Sequence, residues 1–380
     1  MSIADLVAAM EAIAPPRLAE GWDNVGLLLG DSGATLDGPA LLTIDLREAV
    51  VREAIEMDAS AVVAYHPPIF APIRRLTADT DSGRGLLALA RAGVAVYSPH
   101  TALDAAEGGV TDWLLGLVCP DAEEVRAIQP HNEVRPGEAF KIIVFIPTDP
   151  PELIDDVRSA MASAGAGRIG LYESCSFTVP GVGTFRAGEG ANPAIGEVGT
   201  LEHVTELRLE MVCSAAALAP ALAALRAVHP YEEPAFDVMK LEPRASLREG
   251  AGRIGTSPHA IKPSEMARAL KAALGDGNPG GPVVVQVATK EDRPVRRVAC
   301  VPGSGGSLGM DAAGLGAEVF VTGEMKHHEV LGLLSRGVSV IVAGHTETER
   351  GYLPRLAEKL KEQGIAGKVS AVDGAPLRGV

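Results

Sequence analysis

The sequence predicts an α/β protein: a split domain with a mainly parallel sheet, interrupted by an inserted ferredoxin-like α+β domain. Three observations carry that prediction. Short β-branched apolar runs alternate with segments of helical period over residues 41–117 and again after residue 250, the pattern of a parallel sheet with crossover helices. The middle of the chain follows a different and self-contained order, β-α-β-β-α-β. Finally, a His, Asp or Glu follows within three residues on five of the apolar runs, and open α/β sheets bind ligands outside the carboxyl ends of their strands.

Taken in order, residues 3–13 have the spacing of an amphipathic helix, which Pro15 and Pro16 stop. Gly21-Trp22-Asp23-Asn24-Val25-Gly26 reads either as a turn into a short strand or as the border of a cleft. Strands are expected to end at Asp45, Tyr65 and Tyr97, each followed by a helix, over 47–57, 83–92 and 109–117. The texture changes near Gln129. Strands are expected over 140–146, 173–179, 206–212 and 235–241, helices over 150–164 and 215–227, and a mobile Gly-rich loop over 181–199. Strands over 283–288, 297–301, 318–322 and 338–342 then resume the first pattern, with helices over 308–315 and 352–363. The domain limits are therefore 1–129, 130–245 and 246–380, the outer two forming one split domain.

Composition narrows the function. The chain has 380 residues and is 47% hydrophobic, enough for a sizeable core. Its formal net charge of −15 argues against a nucleic-acid or anionic-membrane surface as the main partner and favours metal cations. Cys119, Cys175, Cys213 and Cys300 are far apart and show no C-x-x-C spacing, so they read as small buried hydrophobes in a reducing compartment. No basic leader and no bilayer-length apolar run is visible, which makes the cytoplasm the expected location.

The candidate chemistry sits at the strand ends. His345 and Glu349 are four residues, about one helical turn, apart. Such a pair can bind a divalent metal, or it can be the solvated acidic first turn of a helix. His66 follows Tyr65 and precedes two prolines that fix its backbone. His100 shares a turn with Asp104 and reads as a ligand, a general base or a satisfied core residue; Asp104, anionic at neutral pH, is the better ligand. Glu324 ends another strand, with His327 and His328 after it, and His328 lies at helical spacing from Glu324. The loop 303–307 could cradle an anion on its backbone N–H groups or be a tight turn. In the insert, the segments 183–192 and 229–234 stand out without a clear chemistry, as a charged glycine-rich loop and a turn.

Together, Tyr65-His66-Pro67-Pro68-Ile69-Phe70, the turn from Ser98 to Asp104, Gly303-Ser304-Gly305-Gly306, Thr322-Gly323-Glu324 and the stretch from Gly344 to Glu349 resemble the Nif-three-like family, in order and over nearly the whole chain. It is also called the GTP cyclohydrolase 1 type 2 homologue family of dinuclear-metal proteins. The motifs Gly183-Thr184-Phe185-Arg186 to Asn192 and His229-Pro230-Tyr231-Glu232-Glu233-Pro234-Ala235 resemble the optional PII/CutA-like domain of its longer members. The resemblance implies two adjacent divalent ions, of zinc, iron, manganese or nickel, held by His66, Asp104, His345 and Glu349, with Glu349 bridging. It implies a ring-shaped homohexamer, a trimer of dimers. Paired metals activate water, so the first functional expectation is a metal-dependent hydrolase for a nucleotide or phosphorylated small molecule, with His100 or Glu324 moving the proton; the alternative is a non-catalytic metal-binding or regulatory hexamer. Tyr65 departs from the pattern, since many bacterial members have a histidine there. A phenol with a pKa of about 10 is a poor ligand, so the second metal is expected to bind more weakly.

Overall fold

The computed structural model describes residues 1–133, 137–275 and 282–377. The chain forms two compact units, one made of Met1–His131 with Ser246–Val380 and the other of Asn132–Ala245.

In the first unit the expected single sheet is two sheets. One is five-stranded, in the order Gly26–Leu29, Ala95–Ser98, Ala61–Ala64, Ala40–Thr43, Gly367–Val369. The other is six-stranded, in the order Gln286–Ala288, Ser339–Val342, Val319–Glu324, Val295–Ser304, Arg244–Ile261, Glu123–Glu133. Both have parallel centres. Antiparallel pairs flank them, at Gly26–Leu29 in the first and at Gln286–Ala288 and Arg244–Ile261 in the second.

The short apolar strands are buried on both faces, as parallel strands covered by helices must be. Successive side chains point to opposite faces. Leu42, Val63 and Tyr65 of the five-stranded sheet share a core with Val298, Cys300, Val319 and Val321 of the six-stranded one. Their neighbours Leu41 and Val62 pack instead against the helices Glu48–Glu56 and Asp81–Ala92. Likewise Ala299 and Phe320 pack outward, against Gly309–Gly314 and His327–Ser335. Two sheets facing one core solve a problem that a single row of strands could not: they bring strand ends from both halves of the sequence together.

The helix Ile3–Ile13 starts at Ser2, whose hydroxyl accepts from the Asp5 N–H while Asp5 reaches back to the Ser2 N–H. The strands Glu123–Glu133 and Arg244–Ile261 and the helix Pro263–Gly275 were not expected. The two strands carry many charged residues and no clean alternation, so hydrophobic period does not mark them. Arg253 on the second strand is 1% exposed. Its guanidinium donates to Asp112 Oδ1 at 2.8 Å and to the carbonyls of Ala105, Ala106, Gly250 and Gly252 at 2.7–3.0 Å. It thus clamps the segments that precede and follow the insert.

The second unit is a four-stranded antiparallel sheet in the order Phe177–Arg186, Leu201–Cys213, Phe140–Pro147, Phe236–Lys240. The helices Leu153–Ser163 and Ala215–Val228 contribute Val157, Met161, Ala221 and Leu225 to its core. The strand expected at 173–179 begins later and runs on through Gly181 and Gly183, so the first part of the supposed loop is strand. An edge strand can be glycine-rich because it has only one neighbour to satisfy. Of the cysteines, Cys119, Cys213 and Cys300 are buried and free as expected, but Cys175 is half-exposed. Among the described residues no helix is long and apolar enough to cross a membrane.

Replacing Arg253 by Met is expected to reduce stability by about 3–5 kcal/mol, because four carbonyls and Asp112 lose a buried cationic donor. Urea unfolding midpoints test this; a loss below about 1 kcal/mol would mean the clamp is not holding the split unit together.

Candidate metal centre

Parallel strands deliver residues to one edge. Ala40–Thr43 leads to Asp45, Ala61–Ala64 to His66, and Ala95–Ser98 to the helix His100–Ala105, which carries His100 and Asp104. From the other sheet, Val319–Glu324 brings Glu324, and Ser339–Val342 leads through His345 into the helix Glu347–Arg350.

Glu349 is the centre. It is 3% exposed. Its Oε1 lies 3.2 Å from His345 Nε2 and its Oε2 lies 3.5 Å from His66 Nε2. At 3.5 Å the His66 contact is an ion pair and not a hydrogen bond, and Oε2 has no hydrogen-bond partner. Ligand atoms of His66, His345 and Glu349 all lie within 4.8 Å of one another, a group that could hold a metal ion.

Both imidazoles are held from behind. His66 Nδ1–H donates to Asp45 Oδ1 at 2.9 Å, and His345 Nδ1–H donates to Glu324 Oε1 at 3.0 Å. This leaves each Nε2 facing Glu349, the arrangement in which an outer carboxylate orients a metal-binding histidine. A divalent cation between them would give Oε2 the partner it lacks, so these residues fit such an ion. Gly303 makes the close approach possible: it adopts φ +60°, and a Cβ there would collide with Glu349 Oε1.

Electrostatics show what the ligands do without metal. Burial alone would lower the His66 imidazole, but the carboxylates of Asp45 and Glu349 override it and push it up to about 10. Glu349 raises His345 against its burial, to about 9. Burial works to raise Glu349, yet His345 and His66 hold it below the usual carboxylate range. The same balance lowers Asp45, where burial is outweighed by His66 and the charges of Arg47 and Arg350.

The other expected residues fall beside this group. Asp104 is not a free anion. Burial and the charge of Glu349 push it up to about 7, against the opposing Tyr65 hydrogen bond and the charges of His100 and His66. The Tyr65 hydroxyl donates to its Oδ1 at 2.6 Å. His100 has a backbone φ of +27°, uncommon outside glycine. Its Nδ1–H donates to Asp23 Oδ1 at 2.8 Å, and its ring meets the His66 ring edge-on at 5.4 Å. Glu324 contacts the Nδ1 side of the His345 ring, while Glu349 faces its Nε2. His328 is exposed and does not share a face with Glu324, because Glu324 ends a strand and the helix starts only at His327. In the loop 303–307, the Gly303 and Gly305 N–H groups donate to the hydroxyls of Thr348 and Thr322, at 2.9 and 3.0 Å. Those amides are engaged inside the fold, and the loop serves as a close-packed wall of the cage.

Asp23, read from the sequence only as part of a turn or a cleft border, proves to be the partner of His100. It also accepts from the Thr101 N–H at 3.1 Å. Nothing in the spacing ties it to His100, and only the antiparallel edge strand Gly26–Leu29 brings it near. Trp22 and Phe70, 59% and 54% exposed, pack at 5.8 Å beside it and both contact the His100 ring.

The chain is similar to known proteins over nearly its whole length. The family model Duf34/NIF3 (NGG1p interacting factor 3) matches residues 1–374. A Bacillus subtilis protein named GTP cyclohydrolase 1 type 2 homolog is 33% identical over 97% of this chain and 91% of its own length. A Mycobacterium bovis protein of the same name is 36% identical over 94% and 91%. Among solved structures, a Bacillus cereus protein related to NIF3 is 30% identical, with a TM-score of 0.68 over 100% of this chain and 99% of its own. A Staphylococcus aureus protein reaches a TM-score of 0.79 at 26% identity over the same shares.

Without metal, the centre makes stability depend on pH. His66 and His345 bind protons more tightly when folded than at their ordinary 6.5. Their contribution is complete below about 6.5 and is lost as pH rises through 9 to 10. Asp104, raised from 3.8 to about 7, acts in the same direction at lower pH. Glu349 acts oppositely and loses its contribution as pH falls. The metal-free chain should therefore melt at falling temperature as pH is raised from about 6 to about 10, and Glu349→Gln should flatten the histidine part of that slope. Thermal melts in chelator across this range check it; a wild-type slope unchanged in the variant would refute the assignment.

Proposed function

The chain belongs to the Duf34/NIF3 family, and from that premise we propose that it is a divalent-metal-dependent hydrolase with two ions, acting on a nucleotide or another phosphorylated small molecule. The observation that carries this reading is that Glu349 offers different oxygens to His345 and His66. A carboxylate so placed can bridge two ions, one beside each imidazole. Asp104 would complete the ligand set on giving up the hydrogen bond it accepts from Tyr65. Tyr65 would offer no imidazole, so one of the two ions would be held more weakly. Paired divalent ions supply Lewis acidity to a water and to a phosphoryl oxygen.

The surrounding residues have separate tasks. With Nδ1–H donated to Asp23, His100 keeps its Nε2 lone pair free to take a proton. Trp22 and Phe70 offer exposed rings above it, suited to stacking on a flat base. Ser304, Ser307 and Lys326 line a cavity of about 350 Å³ together with Glu324 and Glu329, and Lys326 is the residue there that could meet a phosphoryl group. The relatives' name makes GTP the first nucleotide to test. The strand order of Asn132–Ala245 supports reading that unit as a ferredoxin-like insert of the PII/CutA kind. A cytoplasmic homohexamer, a trimer of dimers, is proposed on the family resemblance alone.

Elemental analysis and a hydrolysis panel of GTP and phosphoesters test the proposal on protein loaded with zinc, manganese, iron or nickel. Two ions per chain are expected, one of them removed by mild chelation. Glu349→Gln should lose metal and turnover together, and His100→Gln should keep metal while losing about 10²–10⁴-fold in rate. Turnover that survives Glu349→Gln would sink the hydrolase. Metal lost in that variant, with no turnover by the loaded wild type, would leave a non-catalytic regulatory assembly in its place.

A further inference from the structure

Two segments of the second unit stand out in the sequence, and the metal chemistry uses neither. The strand Phe177–Arg186 with the turn after it carries one, and the stretch from His229 to Pro234 carries the other. In the fold both line one cavity of about 550 Å³, within the size range of small-molecule sites.

The cavity is built around Glu206, on the strand Leu201–Cys213. Glu206 is 9% exposed. Its Oε1 accepts from the Tyr231 hydroxyl at 3.2 Å, and its Oε2 takes part in no hydrogen bond among the described residues. Three features hold it there. Gly183 lies two residues along from Gly181, the register partner of Glu206, and a Cβ at Gly183 would collide with Glu206 Oε2. Tyr231 is fixed by His229, whose Nδ1 accepts from the Tyr231 N–H at 3.2 Å while its Nε2–H donates to the Phe145 carbonyl at 2.9 Å. Burial lowers the His229 imidazole, against that Phe145 hydrogen bond, which favours the neutral ring this double role requires. Phe185 packs against Tyr231 at 6.1 Å and supplies an aromatic wall.

The charges identify the occupant. Glu206, Glu232 and Glu233 line the cavity, and Arg208 is its one basic lining residue. Arg208 is already paired with Glu210 at 3.0 Å. Glu232 and Glu233 are exposed and engaged, Glu232 by the Asn192 N–H at 3.2 Å and Glu233 by Arg226 at 4.0 Å, so the buried Glu206 carboxylate is the charge a phosphate would meet inside the cavity. A flat organic cation would instead donate N–H groups to Glu206 Oε2 and place its ring against Phe185 and Tyr231, where charge-assisted hydrogen bonding and cation–π attraction act together. We infer that this cavity is a binding site for a small aromatic or heteroaromatic cation, independent of the metal centre.

Ligand-observed NMR on the full-length protein tests it with three probes of one shape: benzamidine, neutral benzamide and anionic benzoate. Benzamidine should bind at least about tenfold more tightly than either of the others. Glu206→Gln, which keeps the size of the side chain and an acceptor for Tyr231, should remove that preference, and Glu349→Gln should not. Gly183→Ala should weaken benzamidine as well by displacing the carboxylate, and it serves if Glu206→Gln fails to fold. Equal binding of the three probes, no benzamidine binding up to about 10 mM, or a cation preference that survives in a folded Glu206→Gln or Gly183→Ala protein would overturn the assignment.

Discussion

The first unit depends on a buried carboxylate facing two imidazoles. Taking Glu349 out of water is expensive unless opposite charge surrounds it. His345 and His66 supply that charge when protonated, and a metal cation can supply it in their place. The surrounding construction keeps this group closed. Asp45 and Glu324 orient the two rings, and Gly303 lets the backbone approach. Thr348 also donates its hydroxyl to the His345 carbonyl at 2.8 Å. One hydroxyl thus joins the strand end at Gly303 to the turn that carries His345.

The two-sheet arrangement explains why the ligands can lie so far apart in sequence. A single sheet would have placed them in one row along an edge. Two sheets sharing a core set His66 and Asp45 from one against Glu349 and Glu324 from the other, so the group forms where the carboxyl ends meet. Arg253 strengthens the same junction from the opposite direction, by tying the strand that follows the insert to carbonyls that precede it. Packing and polar satisfaction therefore converge on one requirement, that the two halves close on each other.

How much of this was legible follows from physical signal strength. The strands at 61–64 and 319–322 are apolar on both faces and bounded by polar turns, so pattern alone locates them. The four-residue spacing of His345 and Glu349 survives because a turn of helix holds it. The division into two sheets was not legible, since strand order is set by packing between distant segments and not by local period. The same limit hid Asp23, whose contact with His100 spans 77 residues. Loop 303–307 stayed open between two readings for another reason. Glycines that free backbone N–H groups for an anion look the same in sequence as glycines that let side chains crowd in, and at Gly303 and Gly305 the second use applies. His328 failed because helical spacing was counted across a strand end.

The order of the chain gives the metal group a temporal consequence. Asp45 and His66 are made before the intervening unit, and His345 and Glu349 only after it. Until the later segment arrives, the first residues face half of a cage. A chain cut between the two would offer a cation only scattered donors. A bound cation would then report that the two flanking segments had closed on each other.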